Sequence, residues 1–590
     1  VIKTILTYVL YLGVPFLLAI PVGHYISKVM AGQDNWLTRV WGPVEKRLTR
    51  WLRLDERMNW QRYALAVGAF SVLSFGVLWL ILRFQNLLPG NPQHFAGLSW
   101  SLAFNTAVSF ITNTNWQSYS GELTLSNFSQ VFGLTVQNFA SAAVGIAVVY
   151  ALIRGIAGHQ RHDLGNFWQD MIRAILYILL PLSTLFAVLL LWCGVPQSTY
   201  GFTTATLAQP VAVSAQGNVI LGATVNRQTE TVKVDGKKVP GARIVTKETL
   251  PIFPQASQVA IKQLGSNGGG VLGTNSAHPY ENPNALSNFI EYLAIVLLPM
   301  SLVFAFGRSL GRPKEGWMLF IAMGTLFLIG MVVTGWAEQR GVHVAGIGTI
   351  TMEGKEARLG VPASAIWAVG TTATSNGAVN AMLDSFSPLG GLLPMMLMQS
   401  GEVVFGGVGS GLYGMLGFVL LTVFIASLMV GRTPEYLGKK IGPGEMRMAV
   451  LACLATPLSI LVGSGIIAAL PVVAKSLTNT GAHGFSEFLY AFSSAGGNNG
   501  SAFAGFNANT PLMNMTLGLI MLAARFIPIV AMLNIGQRMA EQKLTAETAG
   551  TLKTTNATFV VLLLIVVLII GVLSFFPALS LGPIVDALTH

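Results

Sequence analysis

Four short polar strings interrupt the apolar segments of this sequence: Asn113-Thr114-Asn115, Ser266-Asn267-Gly268, Ser375-Asn376-Gly377 and Asn498-Asn499-Gly500. None contains a carboxylate. What they offer is backbone. Irregular backbone is tolerated at membrane depth only where it lines a water- or ion-filled cavity, and four such strings around one axis would turn carbonyl oxygens toward a common centre. A dehydrated potassium ion wants several weakly held neutral oxygens, which rings of carbonyls supply. Glycine suits the alternating left-handed backbone that aims successive carbonyls at an axis; in the first string the matching position is Asn115, the next-best residue type for that geometry.

Charged residues near the strings invite further readings. Glu122, Glu281 and Asp384 follow the first three strings and could line an outer vestibule that concentrates cations, or simply cap and solvate the next helix. Lys262 falls just before the second string, where it could salt-bridge locally or mimic a bound ion. Arg525 sits in an apolar run; a mid-membrane arginine costs about 2.5–3.5 kcal/mol, so it should face the protein interior. Its role is either a positive gate below the filter or a clamp on helix carbonyls or on a carboxylate such as Glu402. The stretch Gly401–Gly414, with Gly406, Gly407, Gly409 and Gly411, reads as a broken helix blocking the inner exit, or as close helix packing by small residues. Two stretches, Gly268–Gly273 and Gly409–Gly414, match GxGxxG, but neither lies between a strand and a helix, so no nucleotide is expected on this chain.

The elements that must position these residues are membrane helices. The chain has 590 residues, 52% hydrophobic and 10% charged, against roughly 25% charged in soluble domains. Apolar runs of spanning length occur near 5–26, 63–84, 129–153, 172–193, 286–306, 317–337, 395–430, 449–473, 512–536 and 556–577. Shorter ones near 101–112, 257–265, 363–374 and 485–496 read as re-entrant half-helices, each ending in a polar string with its C-terminal partial negative charge toward a cation. The pattern is helix, half-helix, polar loop, helix, four times over, with one extra helix at each end. The expected fold is therefore an all-α polytopic membrane protein of about ten transmembrane helices, with four membrane–pore–membrane pseudo-repeats around one selectivity filter.

The net charge of +11 comes from Lys and Arg scattered between spans, which argues topology rather than nucleic acid. With both termini outside, the inside loops hold 21 of the 35 basic residues, in line with the positive-inside bias. Cys193 and Cys453 match no metal or redox spacing. The first span lacks a cleavage pattern and is expected to be retained. Segment 194–256 is the one soluble stretch, expected to form a small external β excursion from the alternation around Thr229–Val234.

Longer motifs are more specific. Thr112-Asn113-Thr114-Asn115-Trp116-Gln117-Ser118-Tyr119-Ser120-Gly121, Leu264–Gly270, Gly401–Gly411 and Gly431-Arg432-Thr433-Pro434-Glu435-Tyr436-Leu437-Gly438-Lys439-Lys440 resemble the potassium-binding subunit (KdpA) family of the bacterial Kdp potassium-transporting P-type ATPase, over nearly the whole chain. The resemblance implies a potassium filter made of the four strings, Gln117 as an affinity determinant, an inner-membrane location, and a sideways exit beginning near the Gly401–Gly414 break. It also implies partners: a P-type ATPase subunit (KdpB) that hydrolyses ATP, a single-span subunit (KdpC) and in some cases a small hydrophobic peptide (KdpF). This chain lacks the phosphorylated DKTG motif of such ATPases, so catalysis is expected in the partner. The family commonly has Cys where this chain has Asn376, a change expected to alter packing behind the filter without abolishing selectivity.

The expected organisation is one membrane unit: 1–61 an extra helix and inner loop, 62–154 the first repeat, 168–308 the second with the insertion 194–256, 316–432 the third with the broken helix, 446–537 the fourth, and 555–590 an extra helix. The competing function is a stand-alone potassium channel or symporter of the same superfamily.

Overall fold

A computed structural model describes residues 2–52, 54, 56–215, 218–226, 231–344, 346–545 and 551–589. Among these, ten helices are long and apolar enough to cross a membrane: Ile2–Met30, Trp60–Arg83, Ser129–Ala157, Phe167–Trp192, Ala285–Ser309, Pro313–Arg340, Ser410–Met429, Pro443–Ala468, Pro511–Glu541 and Ala557–Thr589. Polar caps and prolines fix where they begin. Asn59 accepts from Arg62 N, Thr510 from Met513 N, and Asn284 forms a capping box with Ser287; Pro313, Pro443 and Pro511 occupy first-turn positions where no amide is needed.

Four shorter helices, Trp100–Ile111, Gln255–Leu264, Gly360–Ala373 and Gly481–Gly496, run into the polar strings. These are the pore helices; each with its string makes one quadrant. Their residues are almost entirely buried, because no lipid-facing side is left to a helix that stops inside the protein.

Burial grades outward from this centre. The apolar windows of the third and fifth spans are 89% buried and that of the first is 17%, so the third and fifth form the inner wall and the first is peripheral. Close crossings depend on small residues. A Cβ on Gly155 would press on Gly536 of the ninth span, and one on Gly23 would strike Ser301 O of the fifth.

The run 395–430 is broken where its glycines predict, although its first helix begins earlier, at Pro388. A helix Pro388–Gln399 stops, ten residues follow without helix, and the span resumes as Ser410–Met429. The loop after the first span contains a helix, Thr38–Trp51, that the span count did not foresee. In the segment 194–256, Phe202–Val213 pairs antiparallel with Arg243–Pro251, and Thr224–Asn226, Thr231–Val234 and Lys237–Lys238 form a small meander; Thr229 and Glu230, on which the alternation was read, lie outside the described residues.

The turn Glu435–Lys440 is a tight hairpin that buries Lys439 completely. Its Nζ donates to Gly155 O (3.1 Å), Ile156 O (2.7 Å) and Gly158 O, closing the carbonyl end of the third span where a cation is favoured. Burial pulls this ammonium down to about 8.

Candidate functional site

One hydrogen-bond template recurs in all four strings. The middle residue donates its amide to the carbonyl five residues back: Thr114 N to Ser109 O, Asn267 N to Lys262 O, Asn376 N to Thr371 O and Asn499 N to Ser494 O, at 2.8–3.0 Å. The third residue reaches six back, Asn115 N to Ser109 O, Gly268 N to Lys262 O, Gly377 N to Thr371 Oγ1 and Gly500 N to Ser494 Oγ. First and third residues have positive φ throughout: 63° and 56° in the first string, 51° and 82° in the second, 55° and 88° in the third, 48° and 98° in the fourth. The amides are thus consumed by the pore helices. Among the described residues, the carbonyls of the middle and third positions accept no hydrogen bond from the protein. Eight acceptors without donors, seven of them on buried residues and the eighth on half-buried Gly500, are a strong departure from normal practice, and they are the groups a bare cation would use.

The strings close a ring in chain order. A Cβ on Gly268 would strike Asn376 O, one on Gly377 Asn499 O, one on Gly500 Thr114 O, and one on Gly269 would fall 2.8 Å from Asn115 O. Side chains make the same circuit behind the backbone. Asn267 Nδ2 donates to Asn113 Oδ1 (2.6 Å), Asn376 Nδ2 to Lys262 O (3.3 Å), Asn499 Nδ2 to Thr371 O (2.8 Å), and Asn498 Nδ2 to Thr114 Oγ1 (2.9 Å). Asn113 continues to Ser266 O and Asn115 to Asn138. These amides therefore brace the ring from outside, and Asn376 joins the third string to the end of the second pore helix.

Gln117 staples the first string to the second, its Oε1 accepting from Gly270 N (2.9 Å) and its Nε2 donating to Gly270 O (3.1 Å). Lys262 holds the place whose side chains in the other pore helices are Ser or Thr. Its carbonyl serves the template while its buried ammonium pairs with Glu281, the local salt bridge of its two expected readings. Two of the three carboxylates expected around an outer vestibule are likewise buried and engaged. Glu281 holds Lys262 and accepts from Leu272 N, and Asp384 faces His483. Glu122, half-buried, accepts from Gly273 N at 2.8 Å. The sequence distance from each string was legible; the local donors that claim these carboxylates were not.

Below the ring, the break before the seventh span passes directly under the third string: Gly406 N donates to Ala373 O (3.0 Å), and Gly407 lies against Ser375 and Ser410. Gly409 crosses the third span so closely that a Cβ would strike Gly145 O, and Gly406 and Gly411 are pressed together. Glu402, Ser410, Tyr413, Asn498 and Arg525 line a small cavity there. Arg525 and Glu402 are 5% and 6% exposed, and among the described residues Arg525 makes no ion pair within 4.0 Å, so the clamp on Glu402 does not form as a direct contact.

Residues 9–588 match the family described as Potassium-transporting ATPase A subunit. The chain belongs to that family. It is 52% identical to the potassium-transporting ATPase potassium-binding subunit of Clostridium botulinum (strain Alaska E43 / Type E3), over 99% of this chain and 98% of that protein. It is 51% identical to the protein of the same description from Desulfovibrio desulfuricans, over 98% of each. Among solved structures it is similar to the potassium transporter TrkH from Vibrio parahaemolyticus, with a TM-score of 0.51 and 15% identity, over 88% of this chain and 97% of that one. That likeness is one of fold. Family membership agrees with the expected all-α polytopic architecture and with an ion-handling rather than a hydrolytic subunit.

Proposed function

We propose that this chain binds potassium at the ring of twelve residues Asn113–Asn115, Ser266–Gly268, Ser375–Gly377 and Asn498–Gly500 and delivers it for ATP-driven import by a P-type ATPase complex. The observation that carries the reading is the set of eight middle- and third-position carbonyls left without donors, which matches the neutral oxygen cage a dehydrated potassium ion requires. Family membership along nearly the whole chain favours the pump over a stand-alone channel or symporter. Hydrolysis then belongs to an ATPase subunit, with a single-span subunit and a small hydrophobic peptide completing the complex in the inner membrane. The ten candidate spans among the described residues are consistent with both termini on one side, and the charge bias supports the outside. The four repeats keep the boundaries 62–154, 168–308, 316–432 and 446–537, and the insertion 194–256 carries no chemistry of its own. Beneath the ring, Arg525 opposes cation leak while the break at Gly401–Gly411 narrows the exit and opens it sideways.

Thermal stability of the purified chain across potassium and sodium titrations tests this, since a ligand that binds the folded state raises its stability with concentration. Stabilisation by micromolar potassium, little by sodium, and none in Gly268→Asp is the expected outcome. Equal stabilisation by both ions, in the chain and in the co-purified complex alike, would overturn it.

A further inference from the structure

The outer ends of the third and fourth quadrants meet in a side-chain cluster that the ion ring does not use. His483, in the first turn of the fourth pore helix, stands between two carboxylates: Nε2 is 3.2 Å from Asp384 Oδ1 and Nδ1 is 3.0 Å from Asp586 Oδ2. Asp384 belongs to the turn after the third string, and Asp586 to the terminal helix Val585–Thr589. One helical turn beyond His483, Glu487 projects from the same face. The ligand atoms of Asp384, His483 and Glu487 all lie within 4.8 Å of one another.

Charge in this cluster is out of balance. The Asp384 side chain is 7% exposed and Glu487 is fully buried. Glu487 is held only by neutral donors, Thr478 N, Thr478 Oγ1 and Asn479 Nδ2, and among the described residues neither carboxylate has a Lys or Arg within 4.0 Å. One imidazole cannot offset both, and buried charge without a counter-charge is strongly unfavourable. The backbone of Gly505 packs against the cluster. A Cβ there would fall 2.6 Å from Glu487 Oε1 and 2.8 Å from Asp384 Oδ2, and would strike Thr478 Oγ1. Only glycine fits beside these two carboxylates and the hydroxyl.

The geometry points to a site for a divalent transition-metal ion of the zinc type, ligated by His483 Nε2, Asp384 and Glu487. The 3.2 Å between Nε2 and Asp384 Oδ1 is close to the edge of a tetrahedron of ligands about 2.0–2.1 Å from a metal, roughly 3.3 Å. Asp586 takes the orienting position: accepting from Nδ1, it fixes the tautomer that leaves Nε2 free to ligate. An imidazole with two carboxylates suits zinc better than calcium or magnesium, which prefer all-oxygen cages. A metal there would tie the turn after the third string, the fourth pore helix and the C-terminal helix into one brace at the outer mouth.

The test uses the tag-free whole chain, stripped with EDTA and titrated with zinc against a metal-sensitive dye, with metal content read by elemental analysis. Expected are one zinc per chain, a zinc-dependent rise in thermal midpoint, loss of that zinc in His483→Gln and Glu487→Gln, and affinity reduced about 10–100-fold in Asp586→Asn. Potassium-dependent stabilisation, retained in each variant, reports that it is folded. Zinc well below one per chain, unchanged affinity in His483→Gln, or calcium or magnesium bound in preference would overturn the proposal. Should the variants fail to fold, the zinc-dependent midpoint of the unaltered chain decides it, and absence of any rise would sink the site.

Discussion

At the ring, a single added carbon meets backbone that cannot move aside. Gly377 combines a φ of 88° with a Cβ position that would overlap Asn499 O, so Gly377→Ala faces both strain and a displaced carbonyl. Its expected effect is at least a 100-fold loss of apparent potassium affinity, read by the potassium dependence of the thermal midpoint; an unchanged dependence would remove the third string from the filter. Behind the ring, the Lys262–Glu281 pair is fully desolvated. Removing one partner strands a buried charge, at about 3–5 kcal/mol, so Lys262→Met and Glu281→Leu should each destabilise strongly while the double variant recovers much of the loss. Additive losses in a denaturation cycle would show that the two do not act as a pair. Lys439 tests burial by pH. Its folded pKa of about 8 lies below an unfolded value near 10.4, so between those limits the unfolded chain binds more protons and stability rises with pH. The cost of burying the charge is full below pH 8 and gone above about 10.4. The stability of the natural chain minus that of Lys439→Met should therefore rise from pH 8 to pH 10, and a difference that falls would contradict the assignment.

Elements explain which parts of this arrangement sequence could reveal. Spans such as Ala285–Ser309 and half-helices such as Trp100–Ile111 were legible because the bilayer sets a length that apolar runs either reach or miss. The strings were legible because Asn and Gly at fixed positions after an apolar run have few other uses at that depth. Three-dimensional pairings were not: nothing in the spacing of Lys262 and Glu281, or of Asp384 and His483, announces that they meet. The break ahead of Ser410–Met429 was legible from glycine density, yet its contact with Ala373 at the end of the third pore helix is a tertiary fact. That contact gives the break a position suited to obstruction. Arg525→Ala should raise passive cation flux through the reconstituted chain several-fold, because it removes the positive charge lining the cavity below the ring. A flux assay in vesicles that showed no increase would leave Arg525 without a gating role.

Across the whole molecule, orientation follows from where basic residues can and cannot go. The loops expected inside collect the larger share of Lys and Arg, and the even number of candidate crossings among the described residues obliges both termini, the hairpin Phe202–Val213 with Arg243–Pro251, and the mouths of all four quadrants to take their sides together. A single wrong assignment would therefore invert every one of them, which makes the orientation testable at two positions. Leu221, on the excursion 194–256 expected outside, is 85% exposed, and Trp51, at the end of the helix Thr38–Trp51 expected inside, is 79% exposed. Cys453 is buried and Cys193 only partly exposed, so a Cys193→Ser background leaves an added thiol as the reactive one. In right-side-out vesicles an impermeant thiol reagent should label Leu221→Cys and spare Trp51→Cys until the membrane is permeabilised. The reverse pattern would turn the filter mouth toward the cytoplasm and remove the importer reading, because the ring would then receive its ion from the wrong compartment.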